Sequence, residues 1–323
     1  MSVFEYTYAV ARIRSKELAL FSAATIEQLM ARKTHEDCLK FLVERGWGGS
    51  DTPLSAEMIL SREREKTWED VRELVPDMSA FDILGYPNAF HNLKAAIKEV
   101  CTEGTHANIF YKDTTPSAEE ILEAVKNRDS ASLPENMREA AASGLETLLH
   151  TGDGQLCDVI VDRAALGAIY QAGKAASDDV IRDYAESSVA VADIKIAVRS
   201  QKTAKSLDFM RSALAPCDSL DVEALAHAAL NGLEAIREYL SKTDYAEGAD
   251  ALVKSPSAFE RWCDNRVIKA IQPQKYNPFS VGPVVAYVLA RENEIKTVRI
   301  ILSGKLNGLT DDSIRERIRE MYV

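Results

Sequence analysis

The 323-residue sequence has no uninterrupted apolar run of the roughly 18 residues that a membrane-spanning helix needs, so no direct membrane span is expected. Its amino end, MSVFEYTYAVARIRSKE, lacks the apolar core and small-residue cleavage pattern of a secretory signal, which points to an aqueous, cytoplasmic setting. Cysteine is sparse and scattered. Cys38, Cys101, Cys157, Cys217 and Cys263 form an odd set that cannot close into pairs within one chain, so reduced, structural thiols are expected. A positive balance is missing too: 39 basic against 50 acidic residues leave a net charge of -11, which disfavours nonspecific attachment to nucleic acid or to an anionic lipid surface. No nucleic-acid partner is expected.

Catalytic motifs are equally scarce. The five histidines, His35, His91, His106, His150 and His227, include no HExxH pair, and structural or surface roles outweigh ligation for each. Asp153, Asp158 and Asp162 are spaced closely enough to suggest a cation loop. The apolar stripe from Cys157 to Val161 begins too early for one, so a turn followed by an acidic helix face is the better reading. SGKLNG holds Lys305 among glycines but lacks the GxxxxGKS/T spacing that converges backbone amides on a phosphate. No catalytic, cofactor-binding or metal site is expected, and a helical hydrolase built on scattered acids and histidines has no compact group to rest on.

Helical periodicity, by contrast, recurs almost everywhere, and 46% hydrophobic with 28% charged residues suits a folded chain with a large core. Local start signals are sharp. Thr34 precedes Asp37 at near capping-box spacing before CLKFLVERG, Ser117 precedes Glu120 before ILEAV, and Ser255-Pro256 opens SAFERWCDNRVIKAI. Near the carboxyl end Ile295, Val298, Ile301 and Leu302 share one apolar face, with Glu294, Lys296 and Arg299 expected to turn mostly elsewhere. Gly304 and Gly308 are expected to interrupt that helix. Thr310 then caps a last helix that buries Ile314 and Ile318, making a terminal helical hairpin. The fold class is all-α.

One spacing organises the chain. NLKAAIK, DIKIAVR and EIKTVRI place Lys94, Lys195 and Lys296 each 101 residues from the next. A polar residue (Asn92, Asp193, Glu294) precedes an aliphatic one and the lysine, and Ala96, Ala197 and Val298 share a further apolar position. Three repeated helical units follow from this, against the plainer reading of three amphipathic helices whose lysines face solvent. The third copy departs where Ile300 stands in place of Lys98 and Arg199.

Aromatic residues accompany basic ones at both ends: Tyr6 and Tyr8 precede Arg12 and Arg14, and KYNPFSVGP carries Tyr276 and Phe279 at a turn. They fit either a partner-binding edge or core packing with a solvated basic rim. YAVARIRSKE, together with YNPFSVGPVVAYVLARENEIKTVRIILSGKLNGLTDDSIRERIREMYV, resembles the C-subunit family of bacterial and archaeal V/A-type rotary ATPases, which is similar to the eukaryotic V-type ATPase d subunit. Tyr8, Ala11, Arg12, Arg14, the Tyr276 to Pro278 turn, Tyr287 to Ala290, Lys296, Arg299 and Gly304, Lys305, Asn307, Gly308 carry the resemblance. GWGG at Gly46 to Gly49 departs from it, standing where a threonine- and tyrosine-containing helix end belongs, whereas Leu240, Thr243 and Tyr245 keep that pattern.

The resemblance implies three similar helical lobes around a central depression. Residues 1–15 and 270–323 would form one lobe together, with lobes over 16–115, 116–215 and 216–323, the last completed by the termini. It also implies a noncatalytic central-stalk component without cofactor. Such a component joins the D and F shaft subunits to the membrane rotor ring, is peripheral on the cytoplasmic side, and transmits torque for ion transport or ATP synthesis. Arg12, Arg14, Lys296, Arg299 and Lys305 are the candidate partner contacts. A general helical scaffold or regulatory adapter is the competing reading.

Overall fold

The computed structural model describes residues 6–49, 54–102 and 109–323, and every regular element among them is helical. The chain begins with α1 (Thr7–Glu17), α2 (Ala23–Met30), α3 (His35–Glu44) and α4 (Ala56–Leu74). Next come α5 (Asp82–Thr102), α6 (Ala118–Lys126), α7 (Glu135–Thr151), α8 (Gly154–Ala175) and α9 (Asp179–Lys202). Then follow α10 (Leu207–Ala213), α11 (Val222–Leu230), α12 (Leu233–Leu240) and α13 (Ala246–Lys254). The chain closes with α14 (Pro256–Ile271), α15 (Gly282–Leu306) and α16 (Asp311–Arg315). His106 lies outside the described residues.

The short helices start where local chemistry supplies an acceptor for their free amides. Thr34 takes the Asp37 amide and Thr310 that of Ser313, while Ser255 takes the Ala258 amide with Pro256 in the first turn. Ser117 and Glu120 complete both halves of a capping box. Asp153 caps α8 through the Gln155 and Leu156 amides, and Asp158 and Asp162 pair with Lys98 and Lys94 at 2.6 Å each. The acidic run is therefore a cap followed by an ion-paired helix face.

The chain divides into two compact units. One contains Met1–Ala80, Asp178–Ile181 and Asp250–Val323, and the other Phe81–Ser177 and Arg182–Ala249. In the second, α5 to α8 close on a core that includes Phe90, Leu93, Ile97, Leu145 and Val161. In the first, α15 is central and touches α1, α2, α3, α4, α14 and α16. Burial on all sides explains why Val284 to Ala290 reads as one continuous apolar run.

Two expectations for α15 change. Glu294 is not turned outward but is fully buried, because the helix has neighbours on every side and the carboxylate has partners among them. Gly304 does not break the helix, which continues to Leu306. A Cβ there would sit 2.5 Å from Ile314, so this glycine allows α16 to approach closely. Gly308, at φ +64°, makes the actual turn.

The 101-residue spacing gains a physical meaning from burial. Asn92, Asp193 and Glu294, on α5, α9 and α15, are each 0% exposed. Each accepts a backbone N–H from outside its own helix: Tyr111 at 2.8 Å for Asn92, Ala215 at 3.0 Å for Asp193, and Phe21 for Glu294. Those donors lie shortly before the caps of α6 (Ser117), α11 (Asp221) and α2 (Ser22). A buried side-chain acceptor thus satisfies an otherwise orphaned amide where a new set of short helices begins. The lysines lie nearer the surface: Lys94 meets Asp162, Lys296 meets Asp264 at 2.6 Å, and Lys195 is exposed.

Candidate interaction surface

Inside the first unit α15 is fastened by a buried charge cluster. Arg291 bonds Glu294 on its own helix and Glu63 of α4 at 2.5 Å, and its Nε donates to Thr67 Oγ1 at 3.3 Å. The guanidinium also lies 5.2 Å from the Trp47 ring centroid, and Trp47 stacks on Phe21 at 5.0 Å. Glu63 further accepts the Gly48 amide at 2.8 Å and Lys66 at 2.7 Å. Burial alone would lower the Arg291 pKa, but Glu294, Tyr287 and Glu63 outweigh it and hold the group more firmly charged than usual. Burial pushes the Glu294 carboxyl up, opposed by Arg291 and the Phe21 amide.

GWGG shapes one wall of this cluster. Gly46 and Gly48 have φ of +83° and +78°, which lets Trp47 turn inward and the Gly48 amide point at Glu63. The threonine–tyrosine pattern works differently: Thr243 Oγ1 accepts the Tyr245 amide at 3.1 Å, and buried Tyr245 meets Ser219 at 3.0 Å. The departure in the sequence is therefore a different way of closing a helix end.

Four of the five candidate cations carry intramolecular partners. Arg14 bonds both Glu17 oxygens at 2.8 Å and the carbonyls of Gln274 at 2.5 Å and Asn277 at 3.1 Å. Lys296 pairs with Asp264, which also receives Arg319 at 2.8 Å. Arg299 reaches Glu57 of α4 at 2.9 Å. Lys305 spans the Gly308 turn to Asp311 at 2.7 Å, and its side chain is only 7% exposed. Arg12 is exposed, and its guanidinium has no partner among the described residues.

Arg14 fastens the turn after α14 to the end of α1. Tyr276 lies between the two tethered carbonyls and is 88% exposed, while Leu18, one helical turn beyond Arg14, is 89% exposed. Phe279 and, further along α1, Tyr8 are also exposed. Tyr8, Arg12 and Ser15 make the solvent stripe of α1, opposite buried Ala9, Val10 and Ile13. Sequence reasoning finds Arg12 and the exposed aromatics as residue types. It misses Leu18, because an apolar residue past a helix end looks like core, and it misses Arg291 and Glu63, because charged residues ordinarily belong outside.

Thiol chemistry has no support from this geometry. All five cysteines are thiols rather than disulfides, and burial pushes Cys38 and Cys157 up to about 11 and Cys217 up to about 12, so these three stay protonated and poorly nucleophilic. Among the described residues no three acidic, histidine or cysteine side chains gather as a metal site, and no helix is long and apolar enough to cross a membrane.

Residues 9–317 match the family described as ATP synthase (C/AC39) subunit. The chain belongs to that family. It is 23% identical over 319 residues to the C subunit of the V-type sodium ATPase of Enterococcus hirae, covering 96% of this chain and 97% of that one. It is 23% identical over 341 residues to the C subunit of the A-type ATP synthase of Methanocaldococcus jannaschii, covering 96% of this chain and 85% of the relative. The corresponding A-type ATP synthase C subunit of Haloquadratum walsbyi is 25% identical over 342 residues, 96% of each chain. In this C/AC39 chain the matched span includes Arg12 and Ser15 of the exposed α1 stripe, the 272–280 turn, and Glu63, Arg291 and Glu294 of the buried cluster.

Proposed function

We propose that this chain is the noncatalytic coupling component of a V/A-type rotary ATPase, joining the D/F shaft to the membrane rotor ring and carrying torque between them. It sits on the cytoplasmic side of the membrane, peripheral through the complex. The family match over 9–317 is the observation that carries the reading. Rigidity supports it: ends far apart in sequence are joined by buried polar bonds from Arg291 to Glu63 and from Glu294 to the Phe21 amide. Close-packed helices with such ties deform little under load, which a torque link requires.

The three helices α5, α9 and α15 organise three similar lobes around a central depression, each tying down the segment that leads into its short helices. The lobe boundaries are those expected from the repeat and the resemblance. Arg12, with Tyr8, Leu18, Tyr276 and Phe279, forms a direct contact for a partner, since exposed aromatics and arginine supply concentrated binding energy. Arg14, Lys296, Arg299 and Lys305 contribute by positioning the elements that carry this and neighbouring contacts.

Reconstitution of the full chain with D, F and the rotor ring from the same source tests the assignment. Binding to both assemblies is expected. Failure to bind either one, with all components folded, would remove the coupling role, and a stable complex with an unrelated receptor instead would favour a scaffold or adapter.

A further inference from the structure

The three copies of the repeated polar position neutralise their burial in different ways, and one of them is left incomplete. Asn92 brackets Tyr111 from both sides: Oδ1 accepts its amide at 2.8 Å, and Nδ2 donates to its carbonyl at 2.9 Å and to Thr114 Oγ1 at 3.0 Å. Glu294 pairs its charge with Arg291. Asp193 has neither arrangement. Its Oδ1 accepts the Ala215 amide at 3.0 Å, while Oδ2 is buried and receives no hydrogen-bond donor among the described residues. An ionised oxygen left in that state is costly, whereas a protonated one becomes a donor.

We propose that Asp193 carries a proton in the folded chain and that its Oδ2–H donates to the Ala215 carbonyl, reproducing with an acid the two-sided bracket that Asn92 makes with an amide. Ionisation removes the donor half of that bracket. The tie between α9 and the segment entering α11 is therefore a latch that loosens as pH rises through neutrality.

The surroundings agree with this reading. Burial pushes the Asp193 carboxyl up to about 7, against the opposing pull of the Ala215 amide and Arg163. Arg163 on α8 is partly engaged elsewhere, since its Nε donates to the Leu214 carbonyl at 3.1 Å. Glu186 on α9 adds negative charge while accepting the Ser219 amide at 2.7 Å and the Asp218 amide at 2.9 Å. On the incoming segment Cys217 is pushed up to about 12 by burial and stays neutral, and Lys174 and Tyr170 hold the Asp218 carboxyl below the usual carboxylate range. Tyr170 of α8 and Tyr86 of α5 border the apolar cluster that contains Ala215, and burial raises Tyr86 further from titration near neutrality.

The sign follows from linkage. An unfolded aspartate titrates near ~3.9, so a raised folded value means that the stability tied to Asp193 is fully present below about pH 4 and is lost as pH climbs towards about 7.

Full-length wild type and Asp193→Asn are compared by urea unfolding from acidic to mildly alkaline pH. The wild-type unfolding constant relative to the variant is expected to rise by up to about tenfold per pH unit, levelling off near neutrality. A pH-independent ratio, or a variant less stable than wild type at alkaline pH, overturns the proposal. Should the variant not fold, the carboxyl ¹³C shift of Asp193 in the wild-type chain decides. A midpoint near 7 supports the latch, and one in the ordinary carboxylate range overturns it.

Discussion

Replacing Arg291 by methionine is the sharpest test of the buried cluster, because the change keeps an apolar stem of similar reach while deleting the charge. In the native chain Arg291 serves Glu63 and Glu294 together, and the side chains of all three are at most 8% exposed. Lys66 still compensates Glu63 in the variant, but Glu294 keeps only the Phe21 amide. Removing one partner of such a buried pair costs about 3–5 kcal/mol, a large part of the ~5–15 kcal/mol that holds a typical domain folded. With a urea dependence near ~2 kcal/mol/M the midpoint falls by about 2 M.

Tryptophan fluorescence is a clean probe for this experiment. Trp47, Trp68 and Trp262 all belong to the unit that contains Arg291, and Trp47 lies directly beneath the guanidinium. The deficit should widen as pH rises above the ordinary carboxylate range. Burial already pushes the Glu294 carboxyl up, and without Arg291 it rises further, so the variant loses stability as that group ionises. Adding Glu63→Gln and Glu294→Gln should recover part of the loss, since glutamine oxygens still accept the Gly48 and Phe21 amides without buried charge. A single variant within about 1 kcal/mol of wild type throughout that rise in pH would refute the reasoning.

Three further outcomes are expected. Gly304→Ala places a Cβ 2.5 Å from Ile314 and should cost about 1–3 kcal/mol in fluorescence-monitored unfolding, with Ile314→Ala in the same chain relieving the clash but putting a cavity penalty of its own in place of it. Ser117→Ala removes one half of the capping box on α6 and should cost about 1 kcal/mol, read by circular dichroism because the tryptophans lie in the other unit. Arg12→Glu, on an exposed side chain with no partner among the described residues, should leave unfolding within about 0.5 kcal/mol of wild type while weakening attachment to one rotary-ATPase partner; unchanged attachment would reject the contact role of that residue.

Local chemistry is legible in the sequence because it acts over a few residues. Thr34, Ser117, Ser255 and Thr310 start helices for reasons contained in the next three or four positions, and the structure uses each as a cap. The all-helical class and the buried face of Ile295, Val298, Ile301 and Leu302 follow from period alone. The 101-residue spacing is visible as well, although its lysines draw the eye while the residues two positions earlier are the buried ones. Charge in a sequence suggests solvent, and only a neighbour's amide or guanidinium can reverse that suggestion.

That reversal depends on partners hundreds of residues away. Phe21 lies far from Glu294 in the chain, Glu63 far from Arg291, and the Gln274 and Asn277 carbonyls far from Arg14. By itself the sequence determined where several helices begin, which faces are apolar, and that a short polar-aliphatic-lysine motif recurs at a 101-residue spacing, because these rest on covalent neighbours and on period. Tertiary structure alone decided which charges are buried, that Arg12 among the candidate cations has no intramolecular partner among the described residues, and that Asp193 Oδ2 receives no donor there. Those outcomes depend on which distant groups fill each side chain's hydrogen-bonding capacity, and no local pattern encodes that.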